Sequence, residues 1–186
     1  MNEACIPNMA ARRFEEIDFD KALSEGRRYL CLDLDNTLLP QRGQEIGESV
    51  RACLEEVRAS GKVDGICLIS NVIIPGPRVS RLHRLARELE IPHVVPGFFF
   101  NRKPLSSPFK KALRLFGAQP QECVMVGDQI FSDIVGGNRM GFFTIWLEPM
   151  SGDHWSTLMT GRRMREKAII AEIRRRGLFG GSPSDT

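Results

Sequence analysis

The sequence predicts an α/β fold, a Rossmann-like parallel sheet of about five strands flanked by helices. Three observations predict it. Short apolar runs recur along the chain, continuous rather than alternating, as in strands covered on both faces. Helical patterns separate one run from the next, the order that builds parallel sheets. Three of the runs end in polar residues, and such sheets bind ligands beyond the carboxyl ends of their strands.

The elements follow in order. YLCLDLD (29–35) is the first strand, and it ends in Asp33 and Asp35. Ile46, Val50, Leu54 and Val57 fall three or four apart, a helical face that Gly61 stops. GICLIS (65–70) is the second strand, ending in Ser70 and Asn71. Val79, Leu82, Leu85, Ala86 and Leu89 make the next helical face, and HVV (93–95) the third strand. Ser107 followed by Pro108 reads as an N-cap with proline at the first helical position. Phe109, Ala112, Leu113 and Phe116 continue that helix to Gly117. CVMVG (123–127) precedes Asp128, a helix spans about 130–139 up to Gly141, and FFTIW (142–146) is the last strand. Residues 1–160 are expected to form a single domain, and 161–186 a basic helix with a frayed end.

Bulk composition narrows the function. A chain of 186 residues, 42% hydrophobic and 26% charged, suits one globular domain. Its apolar runs are far shorter than the roughly 18–20 residues of a membrane span. The first residues lack the apolar core of a secretion signal. The expectation is a cytoplasmic protein. Five scattered cysteines without a C-x-x-C pair support neither a disulfide framework nor a zinc site. Cys31, Cys67 and Cys123 lie in strand-like runs, where reduced cysteine acts as a small hydrophobe. His83, His93 and His154 are too scattered to suggest a metal cluster, and isolated histidines are usually surface or packing residues rather than catalytic ones. The net charge of +3 conceals residues 161–178, with seven Lys or Arg against two Glu.

DLDNT after the first strand, ISN after the second, RKP before the third helix and GDQIFSD after the fourth strand form an ordered set. With them the sequence resembles the haloacid dehalogenase-like (HAD) phosphatases. Within these it resembles the class IIIA, YqeG-type branch related to mitochondrial phosphatidylglycerophosphate phosphatase. The likeness runs from about residue 14 to about residue 170. A lone DxD would be weak; four motifs in order on fitting elements are specific.

The resemblance implies a Mg²⁺-dependent phosphomonoester hydrolase working through an aspartyl-phosphate intermediate. It assigns Asp33 as nucleophile, and Asp35 as the acid that protonates the leaving alkoxide and then activates water. The metal ligands would be Asp33, the backbone carbonyl of Asp35, Asp128 and Asp133, the last by holding a metal-bound water or by orienting Asp128. Ser70, the backbone N–H of Asn71 and Lys103 would hold the transferring phosphoryl group. Asn36 and Thr37 would shape the turn after the strand. Two acids one residue apart point to the same face of a strand, roughly 7 Å apart, and a cation between them answers their repulsion. Gly136-Gly137-Asn138 lacks the P-loop pattern and reads as a packing element.

About 34 residues separate Asp35 from Ser70 and about 31 separate Asn71 from Lys103, too few for a cap domain. A capless site implies a bulky substrate, and the resemblance narrows this to the terminal phosphate of phosphatidylglycerophosphate. The alternative is a soluble nucleotide, sugar phosphate or macromolecular phosphate. A receiver-like module that only accepts phosphate is a third reading, disfavoured because the candidate aspartate follows strand one. No nucleic acid partner is expected. The basic segment either makes peripheral contact with anionic phospholipid, at about 1 kcal/mol per Lys or Arg, or is a charged helix packed by Ile169, Ile170 and Ile173. Trp155 either pins that tail or enters the interface. Val72, Ile73 and Ile74 read as a lipid-facing lip in preference to a turn stiffened by Pro75 and Pro77.

Overall fold

The computed structural model describes residues 2–72, 76–150 and 162–179. Six parallel strands form one sheet in the order β1-β6-β5-β2-β3-β4. They are β1 Met9–Ala11, β2 Tyr29–Leu32, β3 Gly65–Asn71, β4 His93–Gly97, β5 Cys123–Gly127 and β6 Phe143–Leu147. The open α/β sheet of the sequence reading is present with one strand more than the expected five. That strand, MAA, carries too few apolar residues to register as a run. It is held by its neighbour, with Met9 opposite Ile145 and Ala11 opposite Leu147.

Side chains alternate along each strand, so the sheet sorts its own core. Leu30, Leu32, Leu68, Val124 and Val126 point to one face. There they meet Leu54 of α2 (Glu48–Ala59) and Leu82 and Leu85 of α3 (Pro77–Glu88). Cys31, Cys67, Cys123 and Met125 point to the other face, against Phe109 and Ala112 of α4 (Ser106–Phe116). All five cysteines are free thiols. Burial pushes Cys67 and Cys123 up to about 12, which suits the small-hydrophobe role.

α1 (Phe19–Ala22) is a single turn capped by Asp18, whose side chain accepts from the Lys21 N–H. α4 begins one residue before its expected cap. Leu105 is its N-cap, without a side-chain bond, and Ser107 lies inside the first turn. Pro108 is tolerated there because the first-turn N–H groups have no helical partner. α5 opens with a π turn, Ile130–Ile134, and continues as Val135–Met140. Gly136 and Gly137 are packing glycines, as expected. A Cβ on either would lie 2.6 Å from Phe109 or from Thr144. Asn138 donates to the carbonyls of Ala4 and Ile6 at 2.9 and 2.8 Å, tying the N-terminal segment to α5.

The basic segment forms α6, Arg162–Arg175. Ile169 and Ile173 are buried with Ala10, Ile130, Ile134 and Trp146. Arg176 pairs with Glu3 and Glu172, Arg174 with Glu148 and Arg175 with Glu172. Its apolar face therefore docks on the domain. Ala10 N–H donates to Leu178 C=O at 2.7 Å, outside β1. Val72 is buried at 4% exposure, which removes it from the expected lip. Ile73, Ile74, Pro75, Trp155 and residues 180–186 lie outside the described residues. No helix among the described residues is long and apolar enough to cross a membrane.

Candidate active site

β2 runs between β5 and β3, so its carboxyl end opens at the middle of the sheet. From β2 the chain proceeds outward through β3 and β4, then returns to β5 on the other side. The crevice between β2 and β5 is thus a topological switch point. Asp33 leaves β2 there, its N–H still paired to Val126 C=O at 2.9 Å, and Asp128 follows the last residue of the neighbouring β5.

Asp33, Asp128 and Asp133 converge. One carboxylate oxygen from each lies within 4.8 Å of the others, and all three residues are buried. Lys103 enters the group at 2% exposure. Its Nζ lies 2.6 Å from Asp33 Oδ1 and 2.7 Å from Asp133 Oδ1. Asp133 is aimed by the π turn, which brings its Oδ2 to accept from the Gln129 N–H at 3.0 Å. Trp146 donates its indole N–H to the Asp128 carbonyl at 2.8 Å, fixing the peptide that carries that carboxylate.

Gly127 makes room for this. A Cβ there would lie 2.6 Å from Asp133 Cβ and closer still to its carboxyl group. Gly127→Ala should therefore cost about 1–3 kcal/mol of stability, the range for overpacking a full site. It should also displace Asp133, read as a lowered urea midpoint together with lost turnover.

Asn71 acts through its side chain on the same assembly. Its Nδ2 donates to Lys103 C=O at 3.0 Å, and its Oδ1 accepts from the Lys103 N–H at 2.9 Å. This two-way clasp, beside the cis Lys103–Pro104 bond, fixes the backbone from which the lysine reaches inward. Ser70 is buried at the end of β3, the strand next to β2. Asn36 turns the chain with φ of 63° and donates its N–H to Leu39 C=O at 2.8 Å. Thr37 is fully buried in that turn.

Asp35 does not join the buried carboxylates. Arg81 of α3 grips its two oxygens at 2.8 and 3.2 Å, and the Arg42 N–H donates to it at 2.9 Å. The same guanidinium donates to Gly43 C=O at 2.8 Å, so the turn after β2 and α3 are locked together. Neither Arg81 nor Trp146 was legible as a site residue. Arg81 sits 46 positions from Asp35 on what reads as a solvated helical face, and nothing in the pattern marks it.

Three buried carboxylates face one ammonium, and the electrostatics register the mismatch. Burial, opposed by Lys103 and reinforced by Asp133 and Asp35, pushes Asp33 up to about 7. Burial, with the Asp33 and Asp133 charges, also pushes Asp128 well above the carboxylate range. Burial opposes the Lys103 ammonium, but Asp133 and Asp33 outweigh it and move its pKa upward. Among the described residues Asp128 Oδ1 is buried without a hydrogen-bond partner. A hard divalent cation fits this donor set. It takes oxygen ligands at about 2.1 Å, so ligand oxygens stand at most about 4.2 Å apart, close to the separation found.

In chelator, the folded chain holds a proton on Asp33 that the unfolded chain releases above about pH 4. Stability of the chelated protein should therefore fall as pH rises from about 4 to about 7, with Asp128 acting in the same direction. Saturating Mg²⁺ should flatten that slope, as read by urea unfolding at a series of pH values. A slope of opposite sign would show that these carboxylates are ionised and already well paired.

Comparison with known proteins gives concordant matches. The family described as mitochondrial PGP phosphatase matches residues 1–150. Probable phosphatase YqeG of Bacillus subtilis is 27% identical over 173 residues, 92% of this chain and 93% of that protein. Phosphatidylglycerophosphate phosphatase 1, chloroplastic/mitochondrial, of Arabidopsis thaliana is also 27% identical over 173 residues. That alignment takes in 93% of this chain but 49% of the plant protein, so the chain spans about half its length. Glyceraldehyde 3-phosphate phosphatase of Pyrococcus furiosus is 35% identical over 101 residues, 53% of this chain and 40% of that protein.

Proposed function

We propose that this chain, which belongs to the mitochondrial PGP phosphatase family and is a HAD-superfamily phosphatase, removes the terminal phosphate of phosphatidylglycerophosphate to leave phosphatidylglycerol. The observation that carries the substrate is the family match over residues 1–150. An alignment over nearly the whole chain with a plant protein named for that activity supports it. A site without an intervening cap agrees with a bulky substrate. Between Asp35 and Lys103 the described elements are α2, β3, α3 and β4, all of them parts of the layered sheet.

Asp33, Asp128 and Asp133 would hold Mg²⁺, which when bound neutralises charge on the phosphoryl oxygens and lets an anionic ester approach a carboxylate. Asp33 attacks phosphorus; the P–O bond to glycerol breaks as the aspartyl P–O bond forms. Lys103 stays protonated and keeps its ammonium against Asp33, where phosphoryl charge arrives. Ser70 and the Asn71 N–H complete the cradle, while the Asn71 amide aims Lys103. Asp35 gives its proton to the leaving alkoxide and then takes one from the water that hydrolyses the aspartyl phosphate. For this role Asp35 must leave its Arg81 contact, 2.8 Å here, and take up a proton from solvent before it meets the substrate oxygen.

A second reading, a small soluble phosphate ester, draws on the Pyrococcus relative, more similar over a shorter stretch. The test is Mg²⁺-dependent phosphate release from phosphatidylglycerophosphate in detergent micelles, beside glyceraldehyde 3-phosphate, sugar phosphates and nucleotides. We expect the lipid to be turned over with the highest kcat/KM. Preference for a soluble ester, with none for the lipid, would transfer the assignment to the second reading.

A further inference from the structure

β4 leaves the sheet through a tight turn in which Asn101 N–H donates to Phe98 C=O at 2.6 Å. Phe98 packs against the core, but the two residues at the tip do not. Phe99 is 66% exposed and Phe100 is 94% exposed. Phe99 has φ of 31°, where a turn ordinarily uses glycine or asparagine, so this tip favours neither backbone ease nor burial. Leu105, at the start of α4, is 48% exposed. Adjacent exposed aromatic rings at the tip of a turn mark an interaction site more often than scattered apolar residues do.

The stretch of chain that carries the tip has charge of one sign. From Ile91 to Gln121 the chain has five Lys or Arg and no Asp or Glu. Lys103 is the buried one; Arg102, Lys110, Lys111 and Arg114 are exposed. Among the described residues none of those four forms an ion pair with a carboxylate. Lys110 and Arg114, one helical turn apart, line a cleft of about 490 Å³ with Ser106, Ser107 and Leu113. Cations and hydroxyls of this kind suit anionic headgroups.

We propose that the Phe98–Asn101 turn and the cationic flank of α4 dock the enzyme on an anionic phospholipid bilayer, the rings entering the interface. This rests on the reading of the substrate as a lipid. A second copy of the chain is a poor occupant, since two surfaces of the same sign repel. Protruding rings instead suit a soft medium that closes around them, as aromatic side chains do at membrane interfaces. The surface is also rigidly joined to the site. Val72 N–H donates to Gly97 C=O at 2.8 Å, just before the turn, and Asn71 clasps Lys103 just after it. Docking there would bring the Lys103 end of the site to the headgroup layer.

The test is sedimentation of the full chain, with Mg²⁺, on phosphatidylcholine vesicles with or without about 30% phosphatidylglycerol, a strongly anionic surface. Turnover of a soluble aryl phosphate is measured on every variant as a check of folding. The wild type should partition onto anionic vesicles and weakly onto neutral ones. F99S/F100S should lower that partition by roughly tenfold or more, from the lost burial of two rings. K110Q/R114Q should lower it roughly fivefold per charge. Aryl phosphate turnover should be unchanged in both. Equal partition of wild type and variants, or no preference for anionic vesicles, overturns the proposal. Self-association that F99S/F100S abolishes, without vesicle binding, also overturns it. Wild type that docks through these residues yet leaves phosphatidylglycerophosphate intact supports the surface and removes the lipid-substrate reading. Hydrolysis of that lipid in micelles without any vesicle docking does the reverse.

Discussion

Lys103→Met should reduce phosphate release by roughly 10³-fold and destabilise the chelated protein by about 3–5 kcal/mol, the cost of removing one partner from a buried ion pair. Both effects have one origin. The ammonium is nearly inaccessible to water and lies 2.6 and 2.7 Å from two carboxylates. Without it, Asp33, Asp128 and Asp133 share a buried site in which the described residues pair no other cation with them. Methionine keeps the apolar stem and most of the volume, so packing loss is minor. Saturating Mg²⁺ should recover part of the stability and little of the turnover, because the metal supplies charge but not the lysine's hydrogen bonds. Urea unfolding in chelator and in Mg²⁺, beside kcat on an aryl phosphate, reads the two effects separately. An unchanged urea midpoint in chelator would mean that Lys103 is not the counter-charge of this cluster.

Much of this was legible in the sequence because the periodicities are strong. Leu30 and Leu32 alternate with Cys31, and the two faces they predict are the two cores found. The spacing of Leu82, Leu85 and Ala86 fixed the buried face of α3. β1 was missed because a run of three residues is too short to show a period, and its place depends on β6 and the C-terminal segment. The cap of α4 was misplaced by two positions because Ser-Pro is compatible with either N-cap or first turn.

At the site, the meeting of Asp33, Lys103, Asp128 and Asp133 follows from parallel strands that all end at one edge. Placing an acid at a strand end in the sequence nearly places it in space. Arg81 and Trp146 lay beyond that logic. Their partners are 46 and 18 positions away on other elements, and each contact depends on tertiary packing. The π turn that aims Asp133 was equally hidden, since one extra residue per turn leaves the apolar pattern of a short helix almost unchanged.

Asp33→Asn should have the larger catalytic effect, a loss of roughly 10⁴-fold or more, comparable with removing a covalent nucleophile elsewhere. The amide keeps the shape but cannot displace an alcohol from phosphorus. Its effect on stability should have the opposite sign to that of Lys103→Met. One of three crowded carboxylates is removed, so the chelated variant should match or exceed the wild-type urea midpoint at pH 8. Its Mg²⁺ affinity should fall, because a carboxylate ligand has been lost. Inactivity, retained folding and weaker metal binding together separate a nucleophile that also holds the metal from a residue that only shapes the fold. If Asp33→Asn kept substantial turnover, another group would have to attack phosphorus.

The most direct measurement of the central claim traps the covalent enzyme. Turnover of a phosphate ester with Mg²⁺ is quenched in acid, reduced with borohydride, and the peptide containing residue 33 is analysed by mass spectrometry. Borohydride reduces an acyl phosphate to the alcohol, so homoserine is predicted at position 33 and at neither Asp128 nor Asp133. Normal turnover with no homoserine at that position, or with homoserine at a different aspartate, would contradict the account.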